Sequence, residues 1–134
     1  NESGELIAIR RLGEGFHVNP GQPMGKFTWN MNEEELKQAA LLQKKQLEYA
    51  QKEAVTGKWD MLILDEIMAA VTTGMIPLED VLSIISNRPD KLEIVMTGRN
   101  APDSLIKAAD YVSNIQEVKH PMNQGVAARR GIED

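Results

Sequence analysis

The sequence contains no cysteine, which excludes a disulfide framework, thiolate metal sites and a cysteine nucleophile. Aromatic residues make up only 4% of it, as two Trp, two Tyr and two Phe, so the core must be built mainly from aliphatic side chains. No apolar run approaches the roughly 20 residues needed to span a bilayer, and no signal-peptide pattern opens the chain. Cations are outnumbered, with 15 Lys and Arg against 20 Asp and Glu and a net charge of −5. That balance argues against a nucleic-acid partner, which calls for clustered Lys and Arg. What remains, 134 residues of which 42% are hydrophobic, suffices for one core and predicts a single α/β domain over residues 1–134 in a cytoplasmic protein.

The pattern of elements follows from spacing and punctuation. Leu6 to Arg10 reads as a short strand, and Asn19 to Gly25, dense in Pro and Gly, as a loop. Asn32 with Glu35 has the form of a capping box, and the following periodicity predicts one long amphipathic helix over about residues 33–55, ended by Gly57. The unbroken run Met61-Leu62-Ile63-Leu64 fits a parallel strand buried on both faces. Beyond it come a short helix from Ile67 to Thr73, a helix opened by Pro77 at its first position and running to about Asn87, and a strand from Lys91 to Thr97. A further helix runs from Pro102 or Asp103 to about Ala109, then a strand from Tyr111 to Val118, then an irregular tail. Strands alternating with helices imply a mainly parallel sheet.

In such sheets ligands bind beyond the carboxyl ends of the strands. Two strand ends turn polar abruptly there, at Asp65-Glu66 and at Thr97-Gly98-Arg99. Adjacent carboxylates at a strand tip suit Mg²⁺, which takes one or two carboxylates and leaves its other positions to water and phosphate oxygens. The competing reading is that Asp65-Glu66 caps the next helix. Gly21 to Thr28 is not a phosphate loop: only three residues separate Gly21 from Gly25, and Phe27 stands where a metal-binding Ser or Thr is required. Phe27 and Trp29 lie two apart beside this Pro/Gly-rich stretch. They either cover one end of the core or form an apolar lid over a large flat ligand. His17 and His120 are the only histidines, too isolated for a metal site; His120 reads as a surface residue or a site residue following a strand.

Taken in order, Gly25-Lys26-Phe27-Thr28-Trp29, Trp59 to Ile67, Pro77-Leu78-Glu79-Asp80-Val81, Asn87-Arg88-Pro89, Thr97 to Pro102, Ala108-Ala109-Asp110, Glu117 to Pro121 and Gly131-Ile132-Glu133 resemble the CobA/BtuR type of ATP:corrinoid adenosyltransferase. The resemblance implies a three-layer RecA-like P-loop fold and transfer of the 5′-deoxyadenosyl group of ATP to cobalt(I) of a corrinoid, a step of cobalamin metabolism. It implies ATP and a corrinoid as substrates, Mg²⁺ as cofactor, a homodimer and a flavoprotein reductant. It matches Glu66 to the family's metal-associated acid with Asp65 as its Walker-B neighbour, and Phe27 and Trp29 to the segment that closes under the corrinoid and displaces its lower axial ligand. Thr97, Arg99 and, in the tail, His120 are matched to the nucleotide cleft. The family pattern opens with a strand, a Gly-rich phosphate loop, a helix and a second strand. This sequence is expected to start just after them, either as a piece of a longer enzyme or as a short homologue that binds a corrinoid or assembles without catalysis. The tail also departs, with Met122-Asn123-Gln124 where the pattern reads Phe-Asp-Ala.

Overall fold

A computed structural model describes residues 4–19, 30–129 and 132. The chain divides into two compact units, one of Gly21–Val112 and one of Asn1–Pro20 with Ser113–Asp134.

The first α-helix among the described residues of the larger unit is α2 (Glu33–Ala54); α1 (Gly4–Arg10) belongs to the smaller unit. Its start is the expected capping box: Glu35 N–H donates to Asn32 Oδ1, and Asn32 N–H to Glu35 Oε2, both at 2.9 Å. Such a cap is worth about 1 kcal/mol. Three glutamates in the first turn and Lys52 in the last complement the helix dipole. Ala39, Leu47 and Ala54 form its buried stripe. After Gly57, whose φ of 70° turns the chain, Trp59 Nε1–H donates to Glu53 Oε2 at 2.7 Å and ties the end of α2 to the start of the first strand.

Strand β1 (Met61–Leu64) pairs in parallel with β2 (Glu93–Met96), Leu62 opposite Ile94 and Leu64 opposite Met96. The crossover runs through α3 (Ile67–Thr72) and α4 (Leu78–Ser86); α5 (Asp103–Ala108) follows β2. Leu62, Leu64, Ile94 and Met96 pack against a core in which Val81, Leu92 and Leu105 are wholly buried. Each such side chain contributes about 1.5–3 kcal/mol of transfer energy. Gln51 Nε2–H donates to the Asp80 carbonyl and joins α2 to α4, while Arg88 Nη1–H donates to the Leu92 carbonyl and anchors the approach to β2.

The fold class is α/β with a small parallel sheet, as the alternation of elements predicts. Four local expectations are corrected. The apolar run of β1 is covered on one face only: Met61 and Ile63 are 52% and 59% exposed. A single crossover lays its helices over one side of a sheet, so the burial alternates although the sequence does not. Leu6 to Arg10 is not a strand but part of α1 (Gly4–Arg10), with Leu6, Ile7 and Ile9 half-buried and Ala8 and Arg10 outward. Short apolar runs fit either period, and no described strand pairs with this one. Tyr111 to Val118 forms no ladder with the described residues; Tyr111, Ile115 and Val118 are all more than nine-tenths exposed. Pro77 sits one place earlier than expected, at the N-cap of α4 with extended ψ, its carbonyl accepting from Asp80 N–H. No described helix is long and apolar enough to cross a membrane.

Candidate functional site at the strand tips

The ladder itself assembles the site. Leu64 and Met96 are the last paired residues, so Asp65 and Thr97 emerge side by side, and Thr97 N–H donates to the Leu64 carbonyl at 3.2 Å. Beyond the ladder, Thr97 Oγ1–H donates to Asp65 Oδ1 at 2.7 Å. Thr97 Oγ1 in turn accepts Glu66 N–H at 2.9 Å. One hydroxyl therefore engages two consecutive acidic residues of the neighbouring strand, one through its side chain and one through its backbone.

Backbone conformation concentrates at the same place. Glu66 is left-handed (φ 52°), and so is Asn100 (φ 57°); they are the non-glycine residues with positive φ among those described. For a residue with a Cβ this conformation costs roughly 1–2 kcal/mol. The hydrogen bonds made by Thr97 offset it, since a neutral one contributes about 1 kcal/mol and one to a carboxylate about 1.5–3 kcal/mol. Gly98 (φ 136°) passes against the first turn of α3, where Met68 N–H points to the Thr97 carbonyl.

The helix-capping reading of the acidic doublet is not what the geometry shows: Glu66 occupies the N-cap of α3 but makes no side-chain cap hydrogen bond. Both Asp65 and Glu66 are exposed. The donor set left at the tip is two adjacent carboxylates, which offer hard oxygens. No group of three or more His, Cys, Asp or Glu among the described residues is arranged to hold a metal. Two carboxylates with open positions fit Mg²⁺, whose remaining sites go to water and phosphate.

Arg99 is exposed and follows Gly98 at the same tip, with no hydrogen bond or ion pair to a described residue. His120 lies in the smaller unit. Its Nδ1 accepts Met122 N–H at 3.1 Å and caps a 3₁₀ turn, Pro121–Gln124. Phe27 and Trp29 fall outside the described residues. Sequence reasoning gives no role to the left-handed Asn100 or to the close approach of Gly98; the available signal is that Gly and Asn are the residues that tolerate positive φ.

The family of ATP:corrinoid adenosyltransferases BtuR/CobO/CobP matches residues 1–133. The chain belongs to this family. Among its relatives, the corrinoid adenosyltransferase of Escherichia coli K12 is 32% identical over 107 residues, covering 80% of this chain and 54% of that protein. The corrinoid adenosyltransferase CobA of Salmonella typhimurium LT2 is 33% identical with the same coverage. A Sinorhizobium corrinoid adenosyltransferase is 30% identical over 131 residues, covering 97% of this chain and 55% of its own length. The chain thus spans about half the length of the corrinoid adenosyltransferases it matches.

Proposed function

We propose that this chain carries the cation and corrinoid side of an ATP:corrinoid adenosyltransferase of RecA-like, three-layer architecture. The reaction is attack of cobalt(I) on C5′ of ATP: a cobalt–carbon bond forms, the C5′–O bond breaks, and triphosphate leaves with the bond's electron pair. Cobalt is the nucleophile, so the protein needs no nucleophilic side chain. Its work is to hold the reactants and neutralise the leaving group.

Glu66, with Asp65 beside it, would hold Mg²⁺. When bound, the ion supplies charge neutralisation to the triphosphate. Arg99, exposed at the same tip, adds a cation within the cleft, and Thr97 holds the acidic doublet in place. Phe27 and Trp29 cover the lower face of the corrinoid and displace its axial ligand, which makes the cobalt reducible by a flavoprotein. The tail from Lys119 onward, with His120 in it, serves the cleft of a partner subunit in a homodimer.

The observation that carries the reading is the Asp65–Thr97–Glu66 tip of a parallel ladder in a chain of this family. Isothermal titrations of the chain with MgATP and with a corrinoid, run separately, test it. Saturable binding of both supports the enzyme reading. Corrinoid binding with no response to MgATP would favour the non-catalytic binding module, and binding of neither would overturn both.

A further inference from the structure

We propose that Thr97 is a positioning residue, whose single hydroxyl sets the geometry of both acidic residues before any ligand arrives. This rests on the reading of Asp65 and Glu66 as a cation site and deepens it.

The proton direction is dictated by chemistry. A backbone amide can only donate, so Thr97 Oγ1 accepts from Glu66 N–H at 2.9 Å. A hydroxyl has one proton, and the other contact, at 2.7 Å, is to a carboxylate oxygen; that proton goes to Asp65 Oδ1. Asp65 is thereby restrained through one oxygen, with Oδ2 left for a cation. Glu66 is restrained only through its main chain, which leaves both carboxylate oxygens open. Its left-handed φ of 52° turns the chain from β1 into α3 directly beside that contact. The backbone of the same threonine is fixed from two further sides, by the Leu64 carbonyl accepting from its N–H and by Met68 N–H beneath its carbonyl. The hydroxyl is therefore delivered by the ladder rather than by a mobile side chain. A buttressing group of this kind typically governs metal affinity by about 10–100-fold without touching the metal.

The inference separates Thr97→Ser, which keeps the hydroxyl, from Thr97→Val, which keeps the shape and removes it. The probe is Mn²⁺ alone, read by paramagnetic broadening of backbone amide signals, with hydrogen exchange at the Glu66 amide as a metal-free readout. In the unmodified chain, broadening should centre on Asp65 and Glu66, and the exposed Glu66 amide should be protected from exchange. Thr97→Ser should keep both properties. Thr97→Val should weaken Mn²⁺ binding by about 10-fold or more and lose the protection, with the fold checked by the amide spectrum. Unchanged Mn²⁺ affinity in Thr97→Val would overturn the positioning role and leave the cation site standing. No broadening at Asp65 and Glu66 in the unmodified chain would remove the cation site, and this inference with it. Should Thr97→Val not fold, the exchange rate in the unmodified chain still decides: an unprotected Glu66 amide means that the hydroxyl bridge does not exist in solution.

Discussion

Gly98 lies so close to Met68 that a Cβ added to it would sit 2.6 Å from the Met68 Cβ and 3.2 Å from the Met68 amide nitrogen. Its φ of 136° adds a second reason for glycine. Gly98→Ala should therefore destabilise the chain by about 2–4 kcal/mol, combining overpacking against α3 with a disfavoured backbone. Urea unfolding measures this, and a midpoint matching the parent would mean that the loop after β2 relaxes away from α3 freely.

Glu66 is held in a conformation that glycine adopts at no steric cost. Glu66→Gly relieves the strain while adding chain entropy to the unfolded state, for a net gain of about 0.5–1 kcal/mol. The same change removes a carboxylate from the proposed cation site, so Mg²⁺-dependent turnover of the assembled enzyme should be lost. A more stable but inactive variant is the signature of strain kept for function. If Glu66→Gly instead lowers the urea midpoint, Glu66 contributes to the fold and not only to the site.

Much of this was legible in the residues themselves. The capping box at Asn32 and Glu35, the boundaries of α2, and the order of strands and helices from Met61 to Ala108 follow from local chemistry, and there the structure agrees closely. The acidic doublet and Thr97 stood out because polar residues end apolar runs abruptly. What was not legible depends on distant parts of the chain. Leu6-Ile7-Ala8-Ile9 satisfies either period, and only the presence or absence of a pairing partner decides between them. Tyr111 to Val118 has the composition of a strand without a described neighbour to pair with. The bridge from Thr97 to both Asp65 and Glu66 depends on the register of two strands some thirty residues apart, which spacing alone does not fix.

Phe27 follows from the family and not from the described residues. If it displaces the lower ligand, Phe27→Ala in the assembled enzyme should slow adenosylation of corrinoids that carry a lower base more than of base-free corrinoids. Parallel assays with the two substrate classes give the ratio directly. Equal slowing of both would assign Phe27 to general corrinoid contact and not to ligand displacement.

The one-sided sheet makes a contrast between two aliphatic residues, one in β1 and one at the approach to β2. Ile63, at the centre of β1, is 59% exposed, whereas Leu92, just before β2, is 1% exposed. Replacing Leu92 by Ala leaves a cavity in the core and should cost about 2–5 kcal/mol. Ile63→Asn removes apolar surface that already faces outward and should change stability by no more than about 0.5 kcal/mol. Ile63 and Leu92 are both large aliphatic residues, so hydropathy alone would rank the two substitutions as equally harmful. Urea midpoints of the two variants separate the cases. A loss at Ile63 comparable to that at Leu92 would mean that the outer face is covered in solution, by another part of the chain or by a second molecule. Repeating the measurement across protein concentrations then tells these apart, because only a second molecule makes the loss depend on concentration.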